Sequence, residues 1–468
     1  MLFTSFQFLI FFTILFVIFF VVRKHNYQIY TLLIASYIFY GAWNPYYVLL
    51  IMLVSFIGWG CGYLIAGSDH AGRRKTYLWA SIIGSLGILA YFKYANFFID
   101  NISGLVGRQI SYLDIILPVG ISFFTFQSLS YTIDLYRRNI PPCYSLPKFF
   151  LFVSFFPQLV AGPIVRASEF LPQLDRKIII EWKNVTSGAQ IFLIGAVQKA
   201  FIANNLSPFV DRVFEQPELY SGSTVWLAAI SYTIQIFCDF SGYSLMAIGV
   251  AKVFGFHLPE NFRMPYLATS ITDFWRRWHI TLSTWLRDYL YISLGGNRLG
   301  ENRTQINLLV TMLLGGLWHG ASWNFVLWGF MHGFGLIVHK LWCKYSQSFL
   351  SDHAKALLAY KMLAWLVTFL FVVLLWVPFR STDFGNTLVI YAKLFSLEQG
   401  VEWHYTHSLI LIMIAVSWHL FYASKFRMIF SFPYQDFGYK NLFVVGALLM
   451  AIILFAPLDS SPFIYFQF

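Results

Sequence analysis

Charge is what this chain has least of. Only 11% of its 468 residues are Asp, Glu, Lys or Arg, and from Thr304 to His339 there is none at all. With 58% hydrophobic residues, it has too little polar surface to clothe a soluble domain of this size. Acidic residues are scarcer than basic ones, 21 against 32, which leaves a formal net charge of +11. That excess argues for no nucleic-acid partner, because the basic residues fall in short blocks between apolar runs, as loops beside a lipid bilayer do. Cysteine is sparse too. Cys61, Cys143, Cys238 and Cys343 stand far apart, with neither a C-x-x-C pair nor metal-ligand spacing, so no disulfide framework and no metal site is expected. There is no internal repeat, no low-complexity tract and no stretch that reads as a soluble domain.

What the chain does have is a succession of uncharged runs near the roughly 20 residues a membrane helix needs. It reads as an all-α polytopic membrane protein, a single membrane domain over 1–468 with about 11–12 crossings. Leu2–Val22 is too long and too aromatic for a cleaved leader. Asn44-Pro45 splits the next run into spans at Gln28–Trp43 and Tyr46–Ala66; Tyr77–Phe92, a mixed loop and Ile115–Ile133 follow. Phe149–Val165 holds Pro157 and Gly162-Pro163, which predicts a broken or re-entrant helix. Later spans are expected at Thr186–Leu206, Thr224–Val250, Gln305–His319, Asn324–His339, Met362–Pro378, Ser408–Tyr422 and Asn441–Ala456. Lys and Arg collect in alternate loops. If the N-terminus is outside, the outer loops hold only Lys93, Arg108, Arg212, Arg380 and Lys393, so both termini are expected outside.

Against this background, Thr272–Asn324 stands out through His279 and His319. His319 lies within the charge-free run, where an ionisable side chain normally marks a polar pathway or a reactive site; a buried, hydrogen-bonded structural histidine is the alternative. Ser270-Ile271-Thr272-Asp273 has the form of a helix-opening capping box. After it, Phe274, Trp278, Leu282, Trp285, Leu286 and Tyr289 share one helical face, with Arg276, Arg277, Arg287 and Asp288 mostly elsewhere. This predicts an amphipathic helix in the cytoplasmic interface, ended by Gly295-Gly296-Asn297-Arg298. Taken alone, the periodicity favours arginines that merely anchor the helix to lipid phosphates.

Several strings carry a resemblance. Phe274-Trp275-Arg276-Arg277-Trp278-His279-Ile280-Thr281-Leu282-Ser283, Trp285 to Ile292, and Leu294 to Arg298 resemble the signature of the bacterial membrane-bound O-acyltransferase (MBOAT) family. Gly315-Gly316-Leu317-Trp318-His319-Gly320-Ala321-Ser322-Trp323 is similar to the segment bearing that family's catalytic histidine, and Pro118 to Gln127 and Phe156 to Ile164 also match. The nearest subgroup is the alginate O-acetyltransferase membrane subunit, with peptidoglycan O-acetyltransferases and teichoic-acid D-alanyl transferases as relatives.

The resemblance implies the MBOAT fold, with interfacial helices around a central tunnel, in the bacterial inner membrane. It implies an O-acyltransferase that takes a short acyl group, acetyl first, from acetyl-CoA or another cytoplasmic thioester for O-acetylation of an exported polysaccharide, alginate-like or peptidoglycan. A periplasmic SGNH-type acyltransferase partner and no tightly bound cofactor go with it. His319 would be the catalytic base, since transfer to a hydroxyl needs one, and His279, the second catalytic candidate, would line the cytoplasmic mouth. Trp275, Arg276, Arg277, Trp278, Trp318 and Asn324 are the tunnel and donor-binding candidates. Gly315, Gly316 and Gly320 would let backbone or substrate approach closely, and Asn324 and Ser322 are polar candidates to orient the ring.

Residues 462–468 resemble the C-terminal motif of the small peptide that works beside the D-alanyl transferase, and Tyr465 would carry the acyl group as a phenolic ester. An aromatic anchor at the membrane surface suits the same residues. Trp403-His404-Tyr405-Thr406-His407 lacks an evident third metal ligand. His25, His70, His257, His332, His339, His353 and His419 read as interfacial or structural, His332 least securely because it shares the run of His319. The competing functional class is a transporter or flippase without covalent chemistry, against which stand the paired histidines, the tyrosine tail and the lack of two similar halves.

Overall fold

Backbone in an apolar setting must satisfy its own peptide groups, and this chain does so by coiling. The computed structural model describes residues 1–348, 350–396, 399–403, 405–423, 439–457 and 463–464. Among the described residues it is all-helical, apart from one isolated bridge between Tyr220 and Val401. The chain divides into two compact units, one of residues 1–194, 243–259 and 433–445, the other of residues 195–242, 260–432 and 446–468.

The first unit contains α1 (Phe6–Val21), α2 (His25–Gly41), α3 (Tyr46–Ala66), α4 (Ala71–Val106), α5 (Ile121–Tyr136), α6 (Leu146–Ser154), α7 (Phe156–Leu159), α8 (Ala167–Leu174) and most of α9 (Trp182–Ala196). Its helices expose large apolar side chains, as α1 does with Phe6, Leu9, Ile14, Val17 and Val21, while Phe8, Leu15 and Phe19 face inward. Such a surface is stable against lipid, not water. α4 runs well past the expected Phe92, because no Pro or Gly falls between Phe92 and Gly104; it stops at Gly107, whose φ is 67°. α5 starts later than the expected Ile115, since Gly120 takes φ 76° as its N-cap. A Cβ on Gly120 would lie 2.5 Å from the Leu159 carbonyl oxygen, so two of the recognised strings meet there and only glycine fits. The break expected near Pro157 falls at Phe155, between α6 and α7, and every residue from 149 to 165 is buried, which is where irregular backbone is tolerated in such a protein.

The second unit holds a π-helical turn (Val197–Ala203), α10 (Asn204–Glu215), the first part of α11 (Gly222–Val253), α12 (Ile271–Arg277), α13 (Ile280–Trp285) and a second π-helical turn (Leu286–Tyr291). α14 (Glu301–His319), α15 (Trp323–Tyr345), α16 (Asp352–Ala356), α17 (Leu358–Arg380), α18 (Phe384–Phe395), α19 (Thr406–Ala423) and most of α20 (Tyr439–Phe455) follow. Among the described residues, five helical stretches are long and apolar enough to cross a membrane: Tyr46–Ala66, Ala71–Val106, Trp182–Glu215, Gly222–Val253 and Leu358–Arg380. Phe6–Val21, Thr406–Tyr422 and Phe443–Phe455 are shorter apolar helices. The protein is an integral membrane protein.

Candidate functional site

Both singled-out histidines lie in the second unit. Ser270 caps α12 as its sequence predicts, its hydroxyl accepting from the Asp273 N–H at 3.1 Å, and Arg277 Nε donates back to Asp273 at 2.9 Å. The face read from the periodicity is right: Phe274, Trp278, Leu282, Trp285, Leu286 and Tyr289 are all buried. The single continuous helix is not. It breaks at Trp278-His279, where Trp278 is extended and His279 takes a left-handed φ of 41°.

Asn261 accounts for the break. Its side-chain oxygen accepts from the Thr281 N–H at 3.3 Å and the Thr281 hydroxyl at 2.9 Å, and its carbonyl accepts from the Ile280 N–H at 2.9 Å, so groups that would close an uninterrupted helix are satisfied elsewhere. The same oxygen lies 3.0 Å from His279 Nδ1. An oxygen that accepts a backbone N–H cannot donate, so Nδ1 carries the proton and Nε2 the lone pair. Burial pushes the His279 pKa down to about 3, which keeps this tautomer neutral at physiological pH. Its ring stands edge-on to Phe240 at 4.6 Å and 5.9 Å from Trp318.

His319 sits differently, in the last turn of a regular helix. α14 and α15 form a hairpin drawn together by glycine: a Cβ on Gly316 would lie 2.2 Å from the Phe325 carbonyl oxygen, and one on Gly329 2.4 Å from that of Met312. Gly316 and Gly320 thus serve backbone-to-helix and backbone-to-ring approach, the latter against Phe325. The 3%-exposed His319 is walled by Trp318 at 4.8 Å, Trp328 at 4.9 Å and Phe379 at 5.1 Å between ring centres. Trp318 touches both histidine rings, so the two motifs, 40 residues apart in sequence, share one aromatic chamber.

The other sequence candidates separate by position. Trp278 lies 4.9 Å from Trp376, and Trp275 meets Trp328 at 5.7 Å and His332 at 5.1 Å, so these tryptophans join the wall. Arg277 is engaged with Asp273, while Arg276 is exposed. Asn324 is buried, but its amide donates to the Ser381 carbonyl at 3.2 Å and accepts from the Thr387 hydroxyl at 3.2 Å, so it ties α15 to the start of α18. Tyr465 and His404 lie outside the described residues. A cleft of about 700 Å³ opens elsewhere, beside His339, Trp342 and Lys361, and includes neither His279 nor His319 in its lining. No group of three or more His, Cys, Asp or Glu that could hold a metal ion occurs among the described residues.

Sequence reasoning missed Trp328, Asn261 and Phe379, and read His332 as interfacial or structural. Trp328 and His332 follow Asn324 at intervals of four and so share its helical face, a signal that was available. Asn261 and Phe379 gave none, since each reaches the site through tertiary contact. Lys199 and Asp239, lone charges inside apolar spans, were visible by the same test that singled out His319.

Residues 35–377 match the model of the membrane-bound O-acyltransferase family, MBOAT. The chain is 41% identical over 401 residues to a probable alginate O-acetylase AlgI of Pseudomonas aeruginosa, covering 85% of this chain and 75% of that one. It is 39% identical over 390 residues to a peptidoglycan O-acetyltransferase of Helicobacter pylori, covering 77% and 72%. A teichoic acid D-alanyltransferase of Streptococcus thermophilus is 27% identical over 256 residues, covering 51% and 60%.

Proposed function

The chain belongs to the membrane-bound O-acyltransferase family and is an O-acyltransferase, and on that premise we propose that it moves an acetyl group from a cytoplasmic thioester, acetyl-CoA or a similar donor, toward a polysaccharide exported through the bacterial inner membrane. His319 is the catalytic base. It removes a hydroxyl proton as the oxygen attacks the thioester carbonyl, and returns that proton to the departing thiolate, so the products are an ester and a free thiol. The observation that supports this most is the chamber at the end of α14: a buried histidine walled by Trp318, Trp328 and Phe379.

His279, with its lone pair fixed on Nε2 by Asn261, lines the donor side with Trp275, Trp278 and Trp318. Arg276, the exposed cation of α12, meets the anionic part of the donor on the cytoplasmic side, and Arg277 and Asn324 hold the frame around it. Tyr465 is the first acceptor. A phenol, with a pKa near 10 in free tyrosine, leaves from an ester more readily than an alcohol does, so the acyl group stays activated for a second transfer to polymer hydroxyl through a periplasmic SGNH-type partner.

The test uses the intact protein in its membrane, with labelled acetyl thioester supplied on the cytoplasmic face and no polymer. Mass spectrometry of the C-terminal peptide is expected to show one acetyl group on Tyr465, absent in Tyr465→Phe. Full polymer acetylation by Tyr465→Phe would remove the carrier step and leave direct transfer at His319. A reporter fused after Arg298 is expected to read as cytoplasmic and one after Glu402 as exterior; the reverse at both sites would put the donor on the wrong face.

A further inference from the structure

Two charges stand where the apolar background should exclude them. Lys199 is the only Asp, Glu, Lys or Arg between Lys183 and Asp211, and Asp239 the only one between Glu218 and Lys252. They pair with each other, and their side chains are 7% and 1% exposed. Lys199 lies in the π-helical turn Val197–Ala203. Gly242 lets α11 come so close to that turn that a Cβ there would lie 2.6 Å from the Gly195 carbonyl oxygen and 2.9 Å from the Lys199 backbone nitrogen. A buried ion pair contributes little stability by itself, because removing both charges from water costs about as much as their attraction returns. Its presence in a span therefore asks what else it holds.

Asp239 answers through its other oxygen. Oδ1 takes the Lys199 ammonium, while Oδ2 accepts the backbone N–H of Ile464 at 2.9 Å, across 225 residues of sequence. Phe463 and Ile464 are 1% and 5% exposed. The Phe463 ring lies 5.7 Å from Phe240, the ring that stands 4.6 Å from His279. We propose that the Lys199–Asp239 pair is a docking site for the chain's own C-terminal tail, gripping the main chain at Ile464 beside the histidine chamber. A carboxylate that accepts from a backbone N–H reads the course of the chain, not its side chains, and Lys199 fixes that carboxylate's orientation through its other oxygen. The next residue in sequence is Tyr465, so the dock sets the reach of the carrier; this last step rests on the carrier role proposed above.

Two double substitutions separate a dock from a staple between helices. Lys199→Met with Asp239→Leu replaces the pair by apolar groups and leaves no unpaired charge to unfold the protein. Lys199→Asp with Asp239→Lys keeps an ion pair but removes the carboxylate from Ile464. The readout is carboxypeptidase digestion of the full-length protein in membranes, followed by mass spectrometry of the C-terminus. Wild type is expected to stop losing residues near Ile464, and both double variants to lose the tail at least tenfold faster at an unchanged thermal midpoint. Wild-type protection in the exchanged pair would show that the charges only join the helices, and would overturn the dock. Because digestion needs no acyl chemistry, a tail released by either variant with polymer acetylation intact would support the dock while refuting Tyr465 as the carrier.

Discussion

His279 and His319 share a chamber but are built into it by opposite means. His319 ends a regular helix whose partner comes close through Gly316 and Gly329; its backbone is ordinary, and only its surroundings are special. His279 sits at a break, with a left-handed backbone and its Nδ1 held by Asn261. The contrast teaches that a side chain can be conspicuous for two reasons. At 319 only the apolar setting of the imidazole is unusual, whereas at 279 the backbone geometry and the fixed ring orientation are unusual as well.

Substitutions can break or sharpen this contrast. The largest structural effect is expected from Asn261→Leu, which removes the acceptor for Thr281 N–H, the Thr281 hydroxyl and His279 Nδ1. Each orphaned buried group costs about 1–3 kcal/mol, so thermal unfolding in detergent should shift down by many degrees, and polymer acetylation should fall with it. His279→Val comes next. A β-branched residue at φ 41° carries strain of about 1–3 kcal/mol and loses the Asn261 contact, so the folded yield by size-exclusion chromatography should drop.

Asn324→Ala is a smaller perturbation. It leaves the Ser381 carbonyl without the Asn324 amide, while the Thr387 hydroxyl keeps the Asp383 carbonyl at 3.1 Å, and a loss of about 1–3 kcal/mol should lower the thermal midpoint while transfer per folded molecule stays near wild type. A collapse of transfer at normal stability would instead place Asn324 in the chemistry. The mildest change is His279→Asn. Asparagine tolerates the left-handed region and can still donate to Asn261, so the protein should fold normally and keep measurable transfer. Complete loss there would erase the contrast and give His279 a chemical role equal to that of His319.

Much of this was legible in the sequence, for identifiable reasons. The ends of α3 are those of the expected span, because Asn44-Pro45 and Gly67 punctuate an uninterrupted apolar run. The buried face of 274–289 followed from periodicity, and the break near Pro157 from proline chemistry. The break at His279 was not legible, since the acceptor that pays for it lies 18 residues upstream and no local residue disfavours a helix there. The C-terminal dock escaped for a similar reason. Lys199 and Asp239 were each conspicuous, but only the folded chain joins them to Ile464.

The central claim is that His319 performs the proton transfer while the rest of the chamber shapes it. The direct measurement is the acetyl content of the exported polymer in cells whose sole copy of the protein is His319→Ala, normalised to the amount of folded protein in the membrane. Loss of a general base lowers rates by about 10²–10⁴, so the account predicts wild-type insertion and thermal stability with polymer acetylation at or below the detection limit. Wild-type acetylation by a normally folded His319→Ala protein would contradict it.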